Sequence, residues 1–420
     1  MQDLSFFLQD YITAQIGGNK LEIQAGVRSI SQLAMDKAYE IQGKIYFDPR
    51  VNVQWSFPNI TIGEHALQTS LAGGYGKTTK MPTLDYLYPN LKYTDITQLA
   101  YYDVNKPEEN SRYNILTYIR DITNYDLKPA RNTKWEVRGD VNYRGNRLSV
   151  TFFREEMLSG FRYSNYFTPY AYKDYDESSI ESSSLQGPPA LSDIPYQEKK
   201  KLMVYSFAEN GSKLVKKGIE FQFNSQRIKA LRTGITVNGA WFKSIYSNSR
   251  PMYERSSAVV DGQAVSDIYV GLYDWNDGKE INRFTSKILF DTQIPEWGLI
   301  FSTSVDCSWF VNHRTMTKNG IPVSYIDAND GLSHIYDEEA IQDIFLQQLI
   351  LRQQEAQTIR QTIPIACYLN LKMTKKIGKW LDMAFFANRL FDYTPDYTQN
   401  GYIIRRNSDC YFGMELNFKL

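Results

Sequence analysis

Apolar and polar residues alternate one by one along much of this chain. Val51, Val53, Trp55 and Phe57 are interleaved with Asn52, Gln54 and Ser56. Trp135, Val137, Gly139, Val141 and Tyr143 alternate with Glu136, Arg138, Asp140, Asn142 and Arg144. Ile219, Phe221 and Phe223 alternate with Glu220, Gln222 and Asn224, and the pattern returns at the end, where Phe412, Met414, Leu416, Phe418 and Leu420 are set against Gly413, Glu415, Asn417 and Lys419. Successive side chains of a β-strand point to opposite faces, so each such segment has one apolar and one polar face. A soluble sandwich gives this alternation over ~5–6 residues per strand. Here the runs are longer and carry full charges in series, as strands do that have lipid on one side and a wet lumen on the other.

Thirteen strands are predicted, over about 4–14, 20–31, 49–57, 65–76, 131–144, 147–158, 202–227, 232–247, 280–292, 298–312, 363–374, 380–391 and 410–420, with a bulge near Asn210-Gly211. The links alternate in length. Short ones fall at 17–19, 58–63, 145–146, 227–231, 294–297 and 375–379; long ones at 32–48, 77–130, 159–201, 248–279, 313–361 and 392–409. Short periplasmic turns and long extracellular loops are the habit of outer-membrane barrels. Within the last but one long link, Ile341, Ile344, Phe345 and Leu349 recur at near-helical spacing, predicting a helix over Asp337 to Gln354. With the short links periplasmic, both the first and the last strand descend. Single-chain bacterial barrels have an even strand count, so thirteen strands leave two edges that another segment must pair.

Composition narrows the function classes. The 420 residues carry 47 Lys plus Arg and 47 Asp plus Glu, giving no net charge and no nucleic-acid footprint. Aromatic residues make up 14%, including 31 Tyr, which excludes a disordered chain. No run of ~18 apolar residues predicts a transmembrane helix, but a spanning barrel keeps a polar average. The start, Met1-Gln2-Asp3-Leu4, has no secretory leader pattern. Cys307, Cys367 and Cys410 are too widely spaced for a zinc cluster. Cys307 and Cys367 fall on apolar faces, where a Cys is most simply a small hydrophobe; a disulfide between them is the alternative. His65, His313 and His334 lie far apart in sequence, and no metal site or cofactor is expected.

Candidate chemistry is sparse. Gly73-Gly74-Tyr75-Gly76-Lys77-Thr78 invites a phosphate-loop reading, but Leu71 stands where that motif needs its first Gly. No G-x-S-x-G or H-E-x-x-H occurs, and the pairs Glu155-Glu156 and Glu338-Glu339 fit solvated strand-end and helix-surface positions. No enzyme is predicted. The polar strand faces, with Glu136, Arg138, Asp140, Asn142 and Arg144, are expected to line the lumen. Tyrosines gather in the long links: Tyr86, Tyr88, Tyr93, Tyr101 and Tyr102 in one, Tyr163, Tyr166, Phe167, Tyr170, Tyr172 and Tyr175 in another. Tyr combines flat apolar area with a polar hydroxyl, so these are candidate substrate contacts; loop stiffening or an aromatic girdle is the alternative. Trp55, Trp135, Trp241 and Trp309 lie on apolar strand faces and are expected to be girdle residues or lipid-facing anchors.

The residues then resemble a family. Tyr411, Gly413, Leu416 and Phe418 fall in the pattern of the assembly signal that closes outer-membrane barrels. Phe7 to Ile12 with Leu21, Ala25, Gly26, Val27 and Arg28 resembles a strand pair of TonB-dependent receptors, as do Phe47-Asp48-Pro49-Arg50-Val51-Asn52 and Asn210-Gly211 followed by Lys217-Gly218-Ile219-Glu220. Gly74 to Pro82 and Leu127 to Asn132 are similar to the SusC/RagA-like receptors of Bacteroidota and their relatives. The resemblance implies the later part of a 22-stranded barrel, residues 1–420 forming one piece of a single domain in the outer membrane of a Gram-negative bacterium. It implies active nutrient uptake, with the remaining strands, a plug domain, TonB in the periplasm and a SusD-like surface lipoprotein as partners. Two alternatives stay open: a plugless passive channel of about 14 strands, and a soluble β-rich surface binding protein.

Overall fold

The computed structural model describes residues 2–274, 277–316, 319–353 and 358–418. Lys419 and Leu420 of the last alternating segment, and Gln354 of the expected helix, lie outside them. One large antiparallel sheet of fifteen strands dominates; thirteen follow one another in chain order: β1 (Gln2–Ile16), β2 (Asn19–Leu33), β3 (Ile45–Ser56), β4 (His65–Lys80), β5 (Ala130–Tyr143), β6 (Asn146–Tyr175), β7 (Tyr196–Asn224), β8 (Thr233–Asn248), β9 (Lys279–Ile294), β10 (Leu299–Thr315), β11 (Ala366–Ile377), β12 (Leu381–Tyr393) and β13 (Tyr411–Phe418), while the short strands Ile60–Ile62 and Gln361–Ile363 pair with β4 and β10. Each pairs with its sequence neighbours, so the sheet is an unbroken meander. It does not close: among the described residues β1 pairs only with β2, and β13 only with β12.

The alternation is realised as two chemically distinct faces. Across β5 to β10 the register sets Val137, Phe152, Ile219, Trp241, Phe284 and Phe310 side by side on the convex face. Glu136, Arg138, Thr151, Glu220 and Gln222 line the concave one. At the unpaired edges Phe6 and Phe412 are 64% and 82% exposed on the convex side, and on β1 the opposite face also exposes Phe7. Trp55 donates its indole N–H to Asn19 near the first short turn (3.1 Å), and Trp309 donates to Ser286 (2.8 Å) while stacking on Phe284. Indoles near both ends of the strands, each anchored by a hydrogen bond, form the belts expected at two water–lipid boundaries.

Glycines and phenylalanines interlock along the ladder. Phe221 lies directly opposite Gly239, Phe153 opposite Gly218 and Phe386 opposite Gly413. Each ring lies across its glycine, so that a Cβ at Gly239 stands 2.3 Å from the Phe221 ring and one at Gly413 stands 2.6 Å from Phe386. An aromatic covering a strand glycine shields backbone that has no side chain of its own.

Among the described residues, clusters of buried apolar side chains lie at the long-link end. Phe167 and Leu202 join Val270, Ile326 and Ala328; Val265, Tyr336, Ala340, Leu346 and Leu349 form a second cluster; Tyr39, Ile41, Leu87 and Leu127 a third. Each draws on separate parts of the chain and ties them into a crown. A hairpin of Lys92–Tyr101 and Arg112–Arg120, and a four-stranded sheet of Met252–Glu254, Tyr269–Tyr273, Ser324–Asp327 and Ser333–Ile335, complete it.

Three expectations are corrected. The link expected over 159–201 is mostly strand, since β6 and β7 run on to Tyr175 and back from Tyr196. At thirty residues, β6 is about three times the ~9–11 needed to cross a bilayer. The helix expected over 337–354 is two 3₁₀ turns, Ala340–Gln342 and Leu346–Leu349, because the cluster around Val265 buries Ala340, Leu346 and Leu349 while Ile341 and Ile344 face outward. Cys307 and Cys367 are disulfide-bonded rather than isolated hydrophobes, because the β10–β11 register sets them opposite one another. Cys410 is free and exposed.

Replacing Gly239 or Gly413 with Val drives the new side chain into the covering ring, an overpacking that costs about 1–3 kcal/mol. Less of either variant should show heat-modifiable gel mobility in outer-membrane fractions than wild type. Adding Phe221→Ala to Gly239→Val should restore part of the folded fraction; unchanged folding in the single variants would remove the interlock from the account.

Candidate functional site

The concave wall is the first candidate. A groove of about 460 Å³ bordered by Tyr11, Glu22, Gln24, Asn52 and Glu136 adjoins one of about 760 Å³ bordered by Gln222, Asn238, Lys287, Asp306 and Tyr368. Arg138, Thr151 and Glu220 border both. The surface is charged yet internally matched. Asp140, nearly buried, accepts from Arg138 (2.9 Å), Arg147 (3.3 Å), Ser149 (2.5 Å) and Ser70 (3.4 Å). Lys134 pairs with Glu136 at 2.8 Å, Lys287 with Asp306 at 3.1 Å and Lys372 with Glu415 at 2.6 Å. Tyr11 donates its hydroxyl to Glu22. Such a wall offers many donors and acceptors without a large net charge, which suits a hydrated path or a polar body seated against it.

Of the predicted lumen residues, Glu136, Arg138 and Asp140 take that face, and Asn142 reaches across to Gln68 (3.1 Å). Arg144 does not. It occupies the β5–β6 turn with φ 53°, its guanidinium over the Tyr143 ring, because the strand ends one residue earlier. In the assembly signal, Gly413 lies under Phe386 and Leu416 and Phe418 are exposed, with Tyr411 opening the strand.

The crown is the second candidate. Tyr86 packs on Phe161 and Tyr163 (5.1 and 5.3 Å between centroids), and the Tyr163 hydroxyl donates to the Asp85 carbonyl. Tyr88 meets Tyr39, and Tyr170 stacks on Tyr118 at 4.2 Å. Tyr166 contacts Tyr205, Phe207 and Tyr253. Phe167 is buried in a crown core, and Tyr172 and Tyr101 are partly buried. Tyr102 projects into solvent, 66% exposed. These residues thus fall into separate packed groups. An opening of about 350 Å³ bordered by Tyr205, Tyr253, Phe167, Lys92, Glu254 and Arg255 lies among them, with Arg120 over the Tyr205 ring.

Glu209 went unnoticed in the sequence. It sits at the bulge where β7 leaves the common wall and is 3% exposed. It accepts from Ser164, from the Tyr166 hydroxyl (3.0 Å) and from Arg250 (3.1 Å). Next to it Arg162 pairs with Asp277 at 2.8 Å. Burial first, and the Glu209 charge second, push the Tyr166 hydroxyl up to about 12. Asp327, Asp330 and His334 also converge, against the expectation of scattered histidines. Each of these carboxylates already accepts a backbone N–H, from Asn329 and from Leu332, so the hairpin turn accounts for the group without an ion.

A family model described as TonB dependent receptor-like, beta-barrel, matches residues 1–316. The chain belongs to that family. Its members are outer-membrane proteins of Gram-negative bacteria that take part in TonB-dependent transport and work with a plug domain and TonB. The short turns are then periplasmic and the crown extracellular. No curated protein matches the chain. No helix among the described residues is long and apolar enough to cross a membrane, which says nothing against crossing by strands.

Replacing Glu209 with Ala leaves the Ser164 and Tyr166 hydroxyls without their acceptor, costing the crown about 1–3 kcal/mol, while Arg250 stays solvated. Limited proteolysis of intact cells should cut the variant's crown faster while the wall keeps its heat-modifiable mobility. The raised Tyr166 favours the folded crown below the ordinary Tyr value of ~10, and that contribution is lost as pH rises towards about 12. Tyrosinate absorbance should therefore show a late-ionising component that is smaller in Tyr166→Phe.

Proposed function

We propose that this chain supplies most of the wall and the substrate-facing crown of a TonB-dependent transporter that takes up a scarce or bulky nutrient, and that it is not an enzyme. The observation that carries this reading is the pairing of a wide polar concave face with an apolar convex one on a sheet whose two edges are unpaired. Every unpaired backbone group in hydrocarbon costs several kcal/mol, so β1 and β13 call for further strands, and an even total is reached by adding an odd number. Nine would make 22. A plug seated in the ring would meet the groove bordered by Glu22, Arg138 and Glu220, whose matched charges can hydrogen-bond a polar domain without binding it irreversibly.

The crown supports a solute-capturing role. Its tyrosines are held by each other and by the three apolar clusters, which gives flat surface around the Tyr205–Tyr253 opening at little further entropy cost. Glycans, peptides and metal chelates all suit such a surface. The SusC/RagA-like likeness at Gly74 to Pro82 and Leu127 to Asn132 favours a large carrier-type solute and a surface lipoprotein as lid.

Growth of a strain lacking this gene should be compared with that of a strain lacking TonB, on panels of glycans, peptides and iron chelates as limiting nutrient. A shared defect on one class is expected, restored by the wild-type gene only when TonB is present. Uptake that persists without TonB, or steady ion conductance by the purified receptor in planar bilayers, would sink the reading.

A further inference from the structure

Several cations of the crown are matched by acids. Arg162 pairs with Asp277 (2.8 Å), Lys201 with Asp267 (2.9 Å), Lys199 with Asp174 and Arg250 with Glu209 (3.1 Å). The opening of about 350 Å³ beside Tyr205 and Tyr253 departs from this pattern. Lys92 and Arg255 border it, and the Arg120 guanidinium lies over the Tyr205 ring at 4.3 Å. Among the described residues none of these three cations has a carboxylate within ion-pair distance. Two of them are held by rings instead. Arg120 also donates to the Thr168 hydroxyl (2.9 Å), and Arg255 lies over Phe167 at 5.1 Å. A guanidinium resting on an aromatic face keeps its charge and its planar fork of N–H groups.

The rest of the polar lining has the same sense. Among the described residues the Tyr205 and Tyr253 hydroxyls make no hydrogen bond, and Asn165 accepts from the Ser206 hydroxyl (3.3 Å), which leaves its amide N–H groups to donate. Glu254 is the one carboxylate on the border. A lining rich in donors and positive charge, and poor in acceptors, is complementary to a ligand that accepts, above all to carboxylates. The space is at the small end of ligand clefts, which hold ~300–1,000 Å³, so it suits one or two acid-bearing units and not a folded partner. A peptide would bring one N–H per residue, for which these side chains offer few acceptors. A sugar hydroxyl both accepts and donates, and the apolar Ile122, Val204 and Phe167 on the same border suit the C–H faces of a sugar ring.

We propose that this opening is an extracellular subsite for the uronate units of an acidic oligosaccharide. Arg255 and Lys92 take the carboxylate, Asn165 and the two tyrosine hydroxyls donate to ring and hydroxyl oxygens, and Arg120 adds to the attraction from behind Tyr205. Below the mouth, Arg138, Arg147 and Lys287 are already matched by Asp140 and Asp306. An anionic solute is therefore held at the crown and not on its way through. The inference deepens the transporter reading and rests on it for the solute's onward passage, whereas binding at the crown needs no TonB.

The test is titration calorimetry on the full receptor, purified in detergent, with tetragalacturonate, its neutral methyl ester and tetraglutamate as probes. Wild type should bind the acid about tenfold more tightly than the ester, the usual scale of a charge-assisted hydrogen bond. Arg255→Gln and Lys92→Gln should each lose about tenfold for the acid and about twofold at most for the ester. Neither substitution breaks an ion pair among the described residues, so both variants should keep wild-type heat-modifiable mobility. Equal affinity for acid and ester, unchanged binding in both variants, or tetraglutamate binding as tightly as tetragalacturonate would overturn the proposal. Acid uptake that persists in cells lacking TonB, with binding intact, would sink the transporter reading and leave this subsite standing. TonB-dependent uptake of a neutral glycan, with no binding of the acid, would do the reverse.

Discussion

The hydrogen-bond ladder between neighbouring strands governs this protein more than any core does. In hydrocarbon there is no water to satisfy a peptide N–H or C=O, so each must find a partner in the next strand. Twelve successive antiparallel pairings, from β1–β2 to β12–β13, meet that demand. Once they are fixed, side-chain direction is no longer free. One shifted residue would turn Trp241 and Phe284 into the lumen and Asn238 and Lys287 into lipid. The Phe-over-Gly pairs add a steric check on the same register, since only glycine fits beneath Phe221 and Phe386.

The wall consequently has no interior in the ordinary sense. Its apolar side chains are satisfied by lipid, and packed clusters appear only above it, where water returns and apolar residues must find one another. Phe167, Val270 and Ile326 meet although more than fifty residues separate each from the next in the chain. This division explains what the sequence disclosed. Strands with lipid on one face and water on the other carry a two-residue period, and the long strands of the meander were legible from it, whereas the short strands Ile60–Ile62 and Gln361–Ile363 were not. Above the membrane both faces of β6 and β7 are wet or covered by loops, the period lapses, and residues 163–172 read as a loop although they continue the ladder.

The site was legible in its chemistry and less so in its connections. Polar alternation placed Glu136, Arg138 and Asp140 in the lumen, yet gave no sign that Arg147, from the next strand, would share Asp140 with Arg138. The tyrosines announced a crown rich in aromatic surface, but pairings such as Tyr118 with Tyr170 depend on how distant links fold back. Glu209 was hidden because one acidic residue among alternating neighbours looks like any other; its burial comes from the bulge and from Arg250, 41 residues further along the chain. Cross-strand register likewise decides the Cys307–Cys367 bond, and the two segments alone could not disclose it.

Both faces settle much of their charge within the wall. In the lumen Lys134, Arg138, Arg147, Lys287 and Lys372 each have a carboxylate close by on the same wall, so the surface can release what it touches, as a transport path must. On the convex side, at the upper edge of the apolar band, Glu156 pairs with Arg154 on the same strand, and Glu280 of β9 takes Lys243 of β8 and Arg314 of β10. Lys217 stands between Arg154 and Lys243 because the register that sets Ile219 between Phe152 and Trp241 also places it there, so backbone pairing rather than side-chain charge decides which residues become neighbours.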